Sequence, residues 1–241
     1  MNFVKNSFLF CFLYLPILVN SQKEKPQNLR KFDRKLIHFG FLLGGNTADF
    51  QLIPVSNAFE KYGLTALENT SQPGGQLGIV TTLKLGTPLL RLRLFPSLSF
   101  QERVLRYYYL PKDPQKKTED VYEERINSTN LDFPLTLQFR TARYNNFAAY
   151  VLGGIQYTYD LQSTEKSNQS FSDPFVKIKA QDWQGQAGIG VEFFAVYFKL
   201  GLELKYSQGF GNVIIHDFTP ISNPIDQLRN KVWSFSIVLE G

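Results

Sequence analysis

Histidine-based acid–base chemistry in this chain could use only His38 or His216, because the sequence contains no other histidine. Asp217 follows His216 directly, and a histidine oriented by an aspartate is the base of many hydrolytic sites. Adjacent residues on an extended chain point in opposite directions, however, so this pair favours a solvated loop turn over a hydrogen-bonded dyad. His38 begins an alternating segment, where a hydrogen bond inside the fold is the expected role. We therefore expect no catalytic residue.

Nucleophilic, cofactor and metal chemistry also find no support in the sequence. The only cysteine, Cys11, lies in an N-terminal apolar run that predicts a signal peptide over residues 1–21. The mature chain would then be cysteine-free, which excludes disulfides, thiolate metal sites and cysteine nucleophiles. There is no Gly-x-Ser-x-Gly motif, and Gly44-Gly45-Asn46 does not continue into a dinucleotide fingerprint. No cofactor and no metal site are expected.

The composition indicates an exported, β-rich protein. Of the 241 residues, 15% are aromatic, with 22 Phe and 12 Tyr, and 17 are glycine. After the signal peptide, no apolar stretch approaches the ~20 residues that a membrane-spanning helix needs, which excludes a polytopic helical membrane protein. Abundant aromatic residues and glycine in an exported chain without cysteine are typical of an outer-membrane barrel.

Apolar and other residues alternate with a period of two in eight segments, which is the pattern of β-strands with two different faces. The predicted strands are 37–44, 76–85, 90–101, 132–140, 146–161, 183–193, 198–206 and 233–240. Each has about the 9–11 residues that a tilted strand needs to cross a bilayer, or more. Aromatic residues gather near the strand ends, as in an aromatic girdle: Tyr107, Tyr108, Tyr109, Tyr157, Tyr159, Trp183, Tyr206 and Trp233.

Long and short connections alternate along the chain, which outer-membrane barrels show and soluble sandwiches have no reason to show. The long links are 46–74, 111–130, 162–181 and 207–231, and the short ones are 86–88, 143–145 and 195–197. The fold class predicted is all-β: an eight-stranded antiparallel transmembrane β-barrel over 36–241, with short periplasmic turns and long external loops. Both termini would be periplasmic, and residues 22–35 would form a basic periplasmic leader.

The faces opposite the apolar ones would point into a lumen just wide enough to be filled by side chains. A polar network is predicted there from His38, Lys84, Arg91, Arg93, Arg140, Glu192, Lys199, Glu203 and Lys205, together with Gln138, Gln156 and Glu240. Both signs of charge are present, and buried charges must be partnered. We therefore expect paired charges that plug the lumen, with a conducting pore or a ligand site as the alternative.

Several motifs, in order and spacing, resemble the PorT (SprT) proteins of Bacteroidota. They cover nearly the whole mature chain: FDRKLIHFGF at 32–41 with LGGN at 43–46, PGGQLG at 73–78, LRLFPSLSFQER at 92–103, DFPLTL at 132–137, and Arg143, Asn145-Asn146 and AYVLGG at 149–154. The resemblance implies a small outer-membrane component of the type IX secretion system, linked to gliding motility in some members. It offers no catalytic residue. One departure is the end of the chain, Glu240-Gly241, which lacks a terminal aromatic residue.

Three functions remain open from the sequence. The first is a non-enzymatic component of type IX secretion, whose partners would be the lipid bilayer and other secretion components. The second is a small barrel that binds ligands or surfaces through its external loops, and the third is a barrel hydrolase that uses His216 and Asp217. Nucleic acid is not expected as a partner, because the chain is exported and its basic leader has almost no interleaved aromatic residues. No small-molecule substrate is evident.

Overall fold

The computed structural model describes residues 26–111, 120–167 and 175–241. The predicted signal peptide and residues 22–25 of the predicted leader lie outside these ranges. The described elements are a 3-10 turn (Phe32–Arg34), β1 (Ile37–Pro54), α1 (Ala58–Tyr62), β2 (Leu64–Lys84), β3 (Leu90–Leu94), β4 (Ser97–Tyr109), β5 (Asp120–Arg140), β6 (Phe147–Asp160), β7 (Lys177–Ile178), β8 (Gln181–Phe194), β9 (Lys199–Gly209), β10 (Ile214–Ile215) and β11 (Ile225–Glu240).

Nine of these strands form one antiparallel sheet that closes on itself. The sheet follows the order β1-β11-β9-β8-β6-β5-β3-β2-β4, and the additional pairings β1–β2 and β4–β5 join its ends. β3 and β4 lie end to end and both pair with β2 and β5, so the wall of the barrel has eight positions. β7 and β10 form a separate two-stranded pair. The number of strands agrees with the eight alternating segments of the sequence.

Pro96 explains why one of the eight wall strands is interrupted. Proline has no backbone N–H and cannot donate to a neighbouring strand. Its carbonyl still accepts from the Ile79 amide at 3.0 Å, and the Phe95 amide reaches the Pro134 carbonyl at 3.4 Å. The alternation of faces therefore continues through the break, and Arg93 before it and Ser97 after it are both buried.

The two faces of the wall differ in the way that a lipid environment requires. Phe41 and Leu43 on β1 are 70% and 65% exposed on the outer face, whereas His38 on the same strand and Thr82 on β2 are buried on the inner face. Apolar side chains outside and polar side chains inside are characteristic of transmembrane barrels and reverse the arrangement of a soluble sheet. The prediction of an eight-stranded antiparallel transmembrane barrel is confirmed. Within the described residues, no helix is long and apolar enough to span a membrane.

The predicted strand lengths were wrong at one end of the barrel. β2 and β5 have 21 residues each, so most of the predicted link 46–74, and residues 120–130 of the link 111–130, are strand. We name this the far end, and the opposite end, where the short connections and residues 26–36 lie, the leader end. At the far end the strands enclose a far-end core of buried residues: Phe50, Leu64, Leu105, Tyr107, Ile126, Val176, Ile178, Val213, Ile214, Ile221, Ile225 and Leu228.

The alternation of apolar outward-facing residues did not predict the strands at the far end, because there the apolar face points inward and the polar face points outward. Leu105 and Tyr107 are buried inside it, while Arg106 pairs with Glu123 at 2.7 Å on its outer surface. A polar outer face and an apolar inner face are what a sheet surrounded by water needs. A search for apolar outward-facing positions therefore stops where the lipid-facing zone ends, although the strands continue.

A glycine on β8 makes room for the one tyrosine that reaches the middle of the lumen network. A Cβ at Gly190 would lie 2.3 Å from Cζ of Tyr150, the residue directly opposite on β6. The Tyr150 hydroxyl lies over this glycine and donates to Glu203 at 2.6 Å. Gly153 differs, because a Cβ there would meet its nearest atom, the Gln186 carbonyl oxygen, at 3.8 Å.

Replacing Gly190 by alanine should destabilise the barrel, because the new methyl group displaces the Tyr150 ring and breaks its hydrogen bond to Glu203. The expected loss is about 2 kcal/mol in the free energy of unfolding, within the usual cost of overpacking. The measurement is a urea titration of the refolded barrel in detergent micelles, followed by tryptophan fluorescence.

Gly153→Ala is the matched control, for which we expect a change within about 0.5 kcal/mol. Equal urea midpoints for the two variants would contradict this description of the contact.

Candidate functional site

The leader folds back into the barrel. We name residues 26–36 the leader plug, because its 3-10 turn inserts Phe32 into the mouth at the leader end, where this side chain is only 3% exposed. The Phe32 ring stacks on His38, with ring centroids 3.7 Å apart and planes 15° apart, and meets Phe194 edge-on at 6.2 Å. Phe32 is the only aromatic residue between positions 22 and 36. The leader therefore places its aromatic side chain in an apolar niche of the mouth, formed with Ala148 and Phe194.

The next residue, Asp33, is held by three arginines of the barrel. Its Oδ1 accepts from Arg91 at 3.2 Å and from Arg140 at 2.9 Å, and its Oδ2 accepts from Arg143 at 3.2 Å. Burial alone would raise the pKa of the Asp33 carboxyl group, but hydrogen bonds from Arg140 and Arg143 and the charges of Arg140 and Arg91 outweigh it and lower this pKa. The carboxylate is thus ionised at neutral pH and fixes the leader plug electrostatically.

Backbone and amide contacts hold the rest of the leader plug. The Asn28 amide donates to Oδ1 of Asn146 at 2.8 Å, and its side chain donates to the Phe194 carbonyl at 3.1 Å. Arg143 donates to the Asn28 carbonyl and lies 3.8 Å over the Phe194 ring. Nζ of Lys84 lies 3.4 Å from the carbonyl oxygen of Asp33. The barrel therefore contacts the plug along its length, through side chains and through the Phe194 carbonyl.

Behind the plug, Glu192 and Glu240 form ion pairs with the next cationic side chains. Glu192 accepts from Lys199 at 2.9 Å, and Arg140 Nε lies 3.0 Å from its other oxygen. Glu240 pairs with the same Lys199 and accepts from Thr82 at 2.9 Å. All four ionic side chains are at most 3% exposed. Lys199 thus joins β8 and β11 across β9 through two carboxylates.

Deeper in the lumen, Glu203 is the centre of a third group. It accepts from Arg93 and from the Tyr150 hydroxyl, and its second oxygen lies 3.4 Å from Nζ of Lys205. Lys205 also lies 4.2 Å from the centre of the Phe95 ring, which provides a cation–π contact. Because these partners come from β3, β6 and β9, their contacts cross the lumen from one wall to another.

The groups around Asp33, around Glu192 and Glu240, and around Glu203 together form one cluster, which contains more cations than carboxylates. The six cations are Arg91, Arg93, Arg140, Arg143, Lys199 and Lys205, and the four carboxylates are Asp33, Glu192, Glu203 and Glu240. One of the four carboxylates comes from the leader plug. The excess of positive charge at the leader end would therefore grow if the plug left.

The lumen beyond the cluster is filled as well. Leu42, Val80, Phe95 and Val238 form an apolar cluster between the walls. A polar layer follows, in which Asp132 accepts from Ser99 at 2.7 Å and from Gln156 at 3.0 Å. The far-end core then fills the opposite mouth. Side chains thus occupy the barrel at each level between the leader plug and the far end.

The residues singled out by sequence lie at three levels of this arrangement. Arg91, Arg140, Glu192 and Lys199 contact each other or the plug, and Arg93, Glu203 and Lys205 form the deeper group. His38 packs beneath Phe32, and its Nδ1 has no hydrogen-bond partner in the described part of the chain. Lys84 lies at the rim and is only partly buried.

Sequence reasoning missed Phe32, Asp33 and Arg143. Asp33 lies in the leader, outside the alternating segments, and Arg143 lies in a short turn, so neither has a strand face that would assign it to the lumen. The signal that was available is the composition of the leader: an aromatic and an acidic residue stand side by side in an otherwise basic segment.

His216 and Asp217 do not form the dyad that hydrolysis would need. Oδ1 of Asp217 accepts from the Ser222 hydroxyl at 2.8 Å and from the Thr219 hydroxyl at 3.0 Å, which are contacts within one turn. His216 is exposed to solvent. Within residues 26–111, 120–167 and 175–241, no group of three His, Cys, Asp or Glu side chains is arranged to hold a metal ion.

Comparison with known proteins identifies the family. Residues 20–214 match the sequence model of the outer membrane protein β-barrel domain. The chain belongs to this family. Similar solved structures include the outer membrane protein OprG from Pseudomonas aeruginosa, at 16% identity and a TM-score of 0.45, over 85% of this chain and 93% of that one. Neisserial surface protein A (NspA) is 11% identical with a TM-score of 0.42, over 83% and 95% of the two chains. No curated protein sequence matches.

Membership of this family places the barrel in the outer membrane, with its apolar outer face in the lipid bilayer. In that setting, water reaches the wall only at the two ends, and the polar lumen has to be satisfied by its own side chains. The ion pairs around Glu192, Glu203 and Glu240 meet the part of this requirement that concerns charge, since each carboxylate lies within 4 Å of at least one cation.

Asp33→Asn should loosen the leader plug of this outer-membrane barrel, because the amide keeps the shape of the side chain but leaves three arginines without their counter-charge. We expect a loss of about 2 kcal/mol in the free energy of unfolding, the usual worth of hydrogen bonds between charged groups. Urea titration at pH 7 measures it, with Asp226→Asn as the control, since Asp226 is exposed at the far end.

The loss of unfolding free energy caused by Asp33→Asn should depend on pH in a defined direction. Because the pKa of Asp33 is lowered in the folded state, its contribution is complete above the unfolded value of about 4 and disappears as the pH falls through the folded value. Wild type and Asp33→Asn should therefore differ equally at pH 7 and pH 5 and converge only as the pH falls below the unfolded value and through the lowered folded one. A difference that is already lost at pH 5 would contradict the triple-arginine contact.

Proposed function

We propose that this outer-membrane barrel is a non-enzymatic, non-conducting component of type IX protein secretion, which acts as a structural and interaction element rather than as the conduit. Two lines of support meet here. The ordered motifs between residues 32 and 154 resemble PorT proteins, which points to the secretion system. The filled lumen points to a part that holds a position in the membrane.

One observation carries the non-conducting part of the proposal. Charged side chains pair across the lumen in the groups centred on Asp33, Glu192 and Glu203, and each group draws partners from different wall strands. The interior of an eight-stranded barrel is just wide enough for side chains to fill it. Opening a path would require these pairs to be broken inside a low-dielectric interior, where a lone charge is costly.

The proposal assigns no catalytic residue. The acidic and basic side chains that converge are bound to each other at close range, and the exposed His216 lies next to an aspartate that is engaged in its own turn. Activity is therefore expected to come from contact surfaces. In the leader, Arg30, Lys31, Arg34 and Lys35 are all exposed, and they form a basic surface around the buried Phe32.

The proposal also gives the barrel an orientation. The leader plug and the three short connections lie at one end, and the long connections lie at the other. Short turns on the periplasmic side and longer segments outside are the rule for bacterial barrels. The leader end, with both termini, would then face the periplasm and its secretion components, and the far end would face outward.

A second candidate is a barrel that binds ligands or surfaces through its far end without any role in secretion. The far-end core favours it, because a rigid extension with its own apolar interior is suited to presenting loops. Phe218 in one of these loops is 85% exposed, with a positive φ of 60° that bulky residues rarely adopt. Such an exposed, strained aromatic residue is a reasonable contact point.

Deleting the gene in its host and quantifying the secretome distinguishes the two candidates. Under the proposal, proteins with type IX C-terminal signals disappear from the medium and accumulate in the periplasm, and a plasmid copy restores their export. Abundance of an unrelated outer-membrane porin in the same strains controls for general envelope damage. Unchanged export would overturn the secretion role and leave the loop-presenting barrel.

A further inference from the structure

We propose that the leader-end mouth is a peptide-binding site for an aromatic residue followed by an acidic residue, and that Phe32-Asp33 occupies it as a ligand from the same chain. The inference does not rest on a role in secretion. It rests on the chemistry of the mouth, the way the leader plug is attached, and the charge that remains when the plug is removed.

The walls of this site belong to the barrel and not to the leader. The aromatic position is formed by His38 on β1 and Phe194 at the end of β8. The acidic position is formed by Arg91 on β3, Arg140 on β5 and Arg143 in the turn that follows. Because four separate wall elements and one turn supply these groups, the site would keep its shape without the plug.

The charge balance specifies an acidic occupant. Without Asp33, the leader-end group would contain four cations against the two carboxylates of Glu192 and Glu240: Arg91, Arg140, Arg143 and Lys199. Excess buried positive charge attracts a carboxylate strongly and disfavours an empty or neutral site. Guanidinium groups form strong, charge-assisted hydrogen bonds with carboxylates and phosphates.

The site also has donors that the leader does not use. Nε of Arg91 and Nη2 of Arg140 are buried and have no hydrogen-bond partner among the described residues. Unsatisfied buried donors are costly, so an occupant with additional acceptor oxygens would gain from them. The leader is therefore an adequate ligand for this mouth, and a peptide with a second acceptor near its carboxylate would be a better one.

The leader plug can leave without disturbing the sheet. Pairing of β1 with β2 begins at Ile37, and the last backbone contact before it is the Lys84 amide to the Leu36 carbonyl at 2.8 Å. The other hydrogen bonds of the plug at Asn28 and Asp33 each involve at least one side chain, of the plug or of the barrel. Its exchange for another peptide would break these contacts and remake them, while the closed barrel persists.

The test uses the full chain in detergent micelles and a fluorescent peptide with the sequence of residues 26–36. In the variant Phe32→Ala/Asp33→Asn, the tethered ligand is weakened, and we expect saturable peptide binding. Wild type should bind at least tenfold more weakly, because its own leader competes at a high effective concentration. Replacing the peptide's aspartate by asparagine should weaken binding to the variant at least tenfold.

Three outcomes would overturn the inference. In the first, the folded variant, recognised by its heat-modifiable gel migration, does not bind the peptide. In the second, the aspartate and asparagine peptides bind equally. In the third, inorganic phosphate displaces the peptide at a concentration at which acetate does not, which would mean that the mouth prefers phosphate to a carboxylate. Adding Arg143→Gln to the variant is the matched loss-of-site control and should reduce peptide binding.

A second measurement covers the case in which the double variant does not fold. A spin label on Lys31→Cys in the otherwise wild-type chain reports whether the leader is docked, since Lys31 is exposed beside the buried Phe32. Millimolar aspartate peptide should increase the mobility of the label, and the asparagine peptide should not. An immobile label at 10 mM of either peptide, or equal release by both, would overturn the inference.

Discussion

A charge that leaves water inside a narrow barrel needs an opposite charge within hydrogen-bonding reach, and the arrangement of this lumen follows from that requirement. Arg93 on β3 reaches Glu203 on β9, and Lys199 on β9 reaches Glu192 on β8 and Glu240 on β11. Arg93 and Glu203 lie 110 residues apart in sequence, and Lys199 links the two strands that neighbour its own, so these pairs connect separate wall strands. They therefore favour one closed register of the barrel, and the loss of one partner would leave its neighbours buried and uncompensated.

The same requirement explains why the leader belongs to the fold. Arg91, Arg140 and Arg143 exceed the carboxylates that the wall can offer at the leader end, and Asp33 supplies the missing one. Phe32 beside it excludes water from the mouth by stacking on His38. The leader thus contributes an ion pair and an apolar seal through two consecutive residues.

Different interactions close the two ends of the barrel. In the lipid-facing zone the wall is apolar outside and polar inside, so its interior is held by ion pairs and hydrogen bonds. Beyond that zone the faces of the same strands reverse: on β4, Ser99 donates to Asp132 in the lumen, whereas Leu105 and Tyr107 are buried in the far-end core. The far mouth is therefore closed by the hydrophobic effect, as in a soluble sheet.

Alternation alone was enough to predict the eight wall strands, because an apolar outward face repeats every second residue wherever lipid covers the wall. The strand ends were not predictable in this way, since the faces of β2, β4 and β5 reverse at the far end. The contact of the leader with the barrel was not predictable for another reason. Asp33 binds Arg91 and Arg140, which lie 58 and 107 residues away, and no local sequence pattern indicates such a pairing.

Recording ion currents of the full chain in a planar lipid bilayer tests the central claim that this barrel is sealed. A general porin inserted in the same bilayer shows that conducting steps can be detected. The account predicts no conducting steps from wild type, and none from Phe32→Ala/Asp33→Asn, because the far-end core still closes the lumen when the leader plug is weakened. Stable conducting steps from the wild-type chain would contradict it.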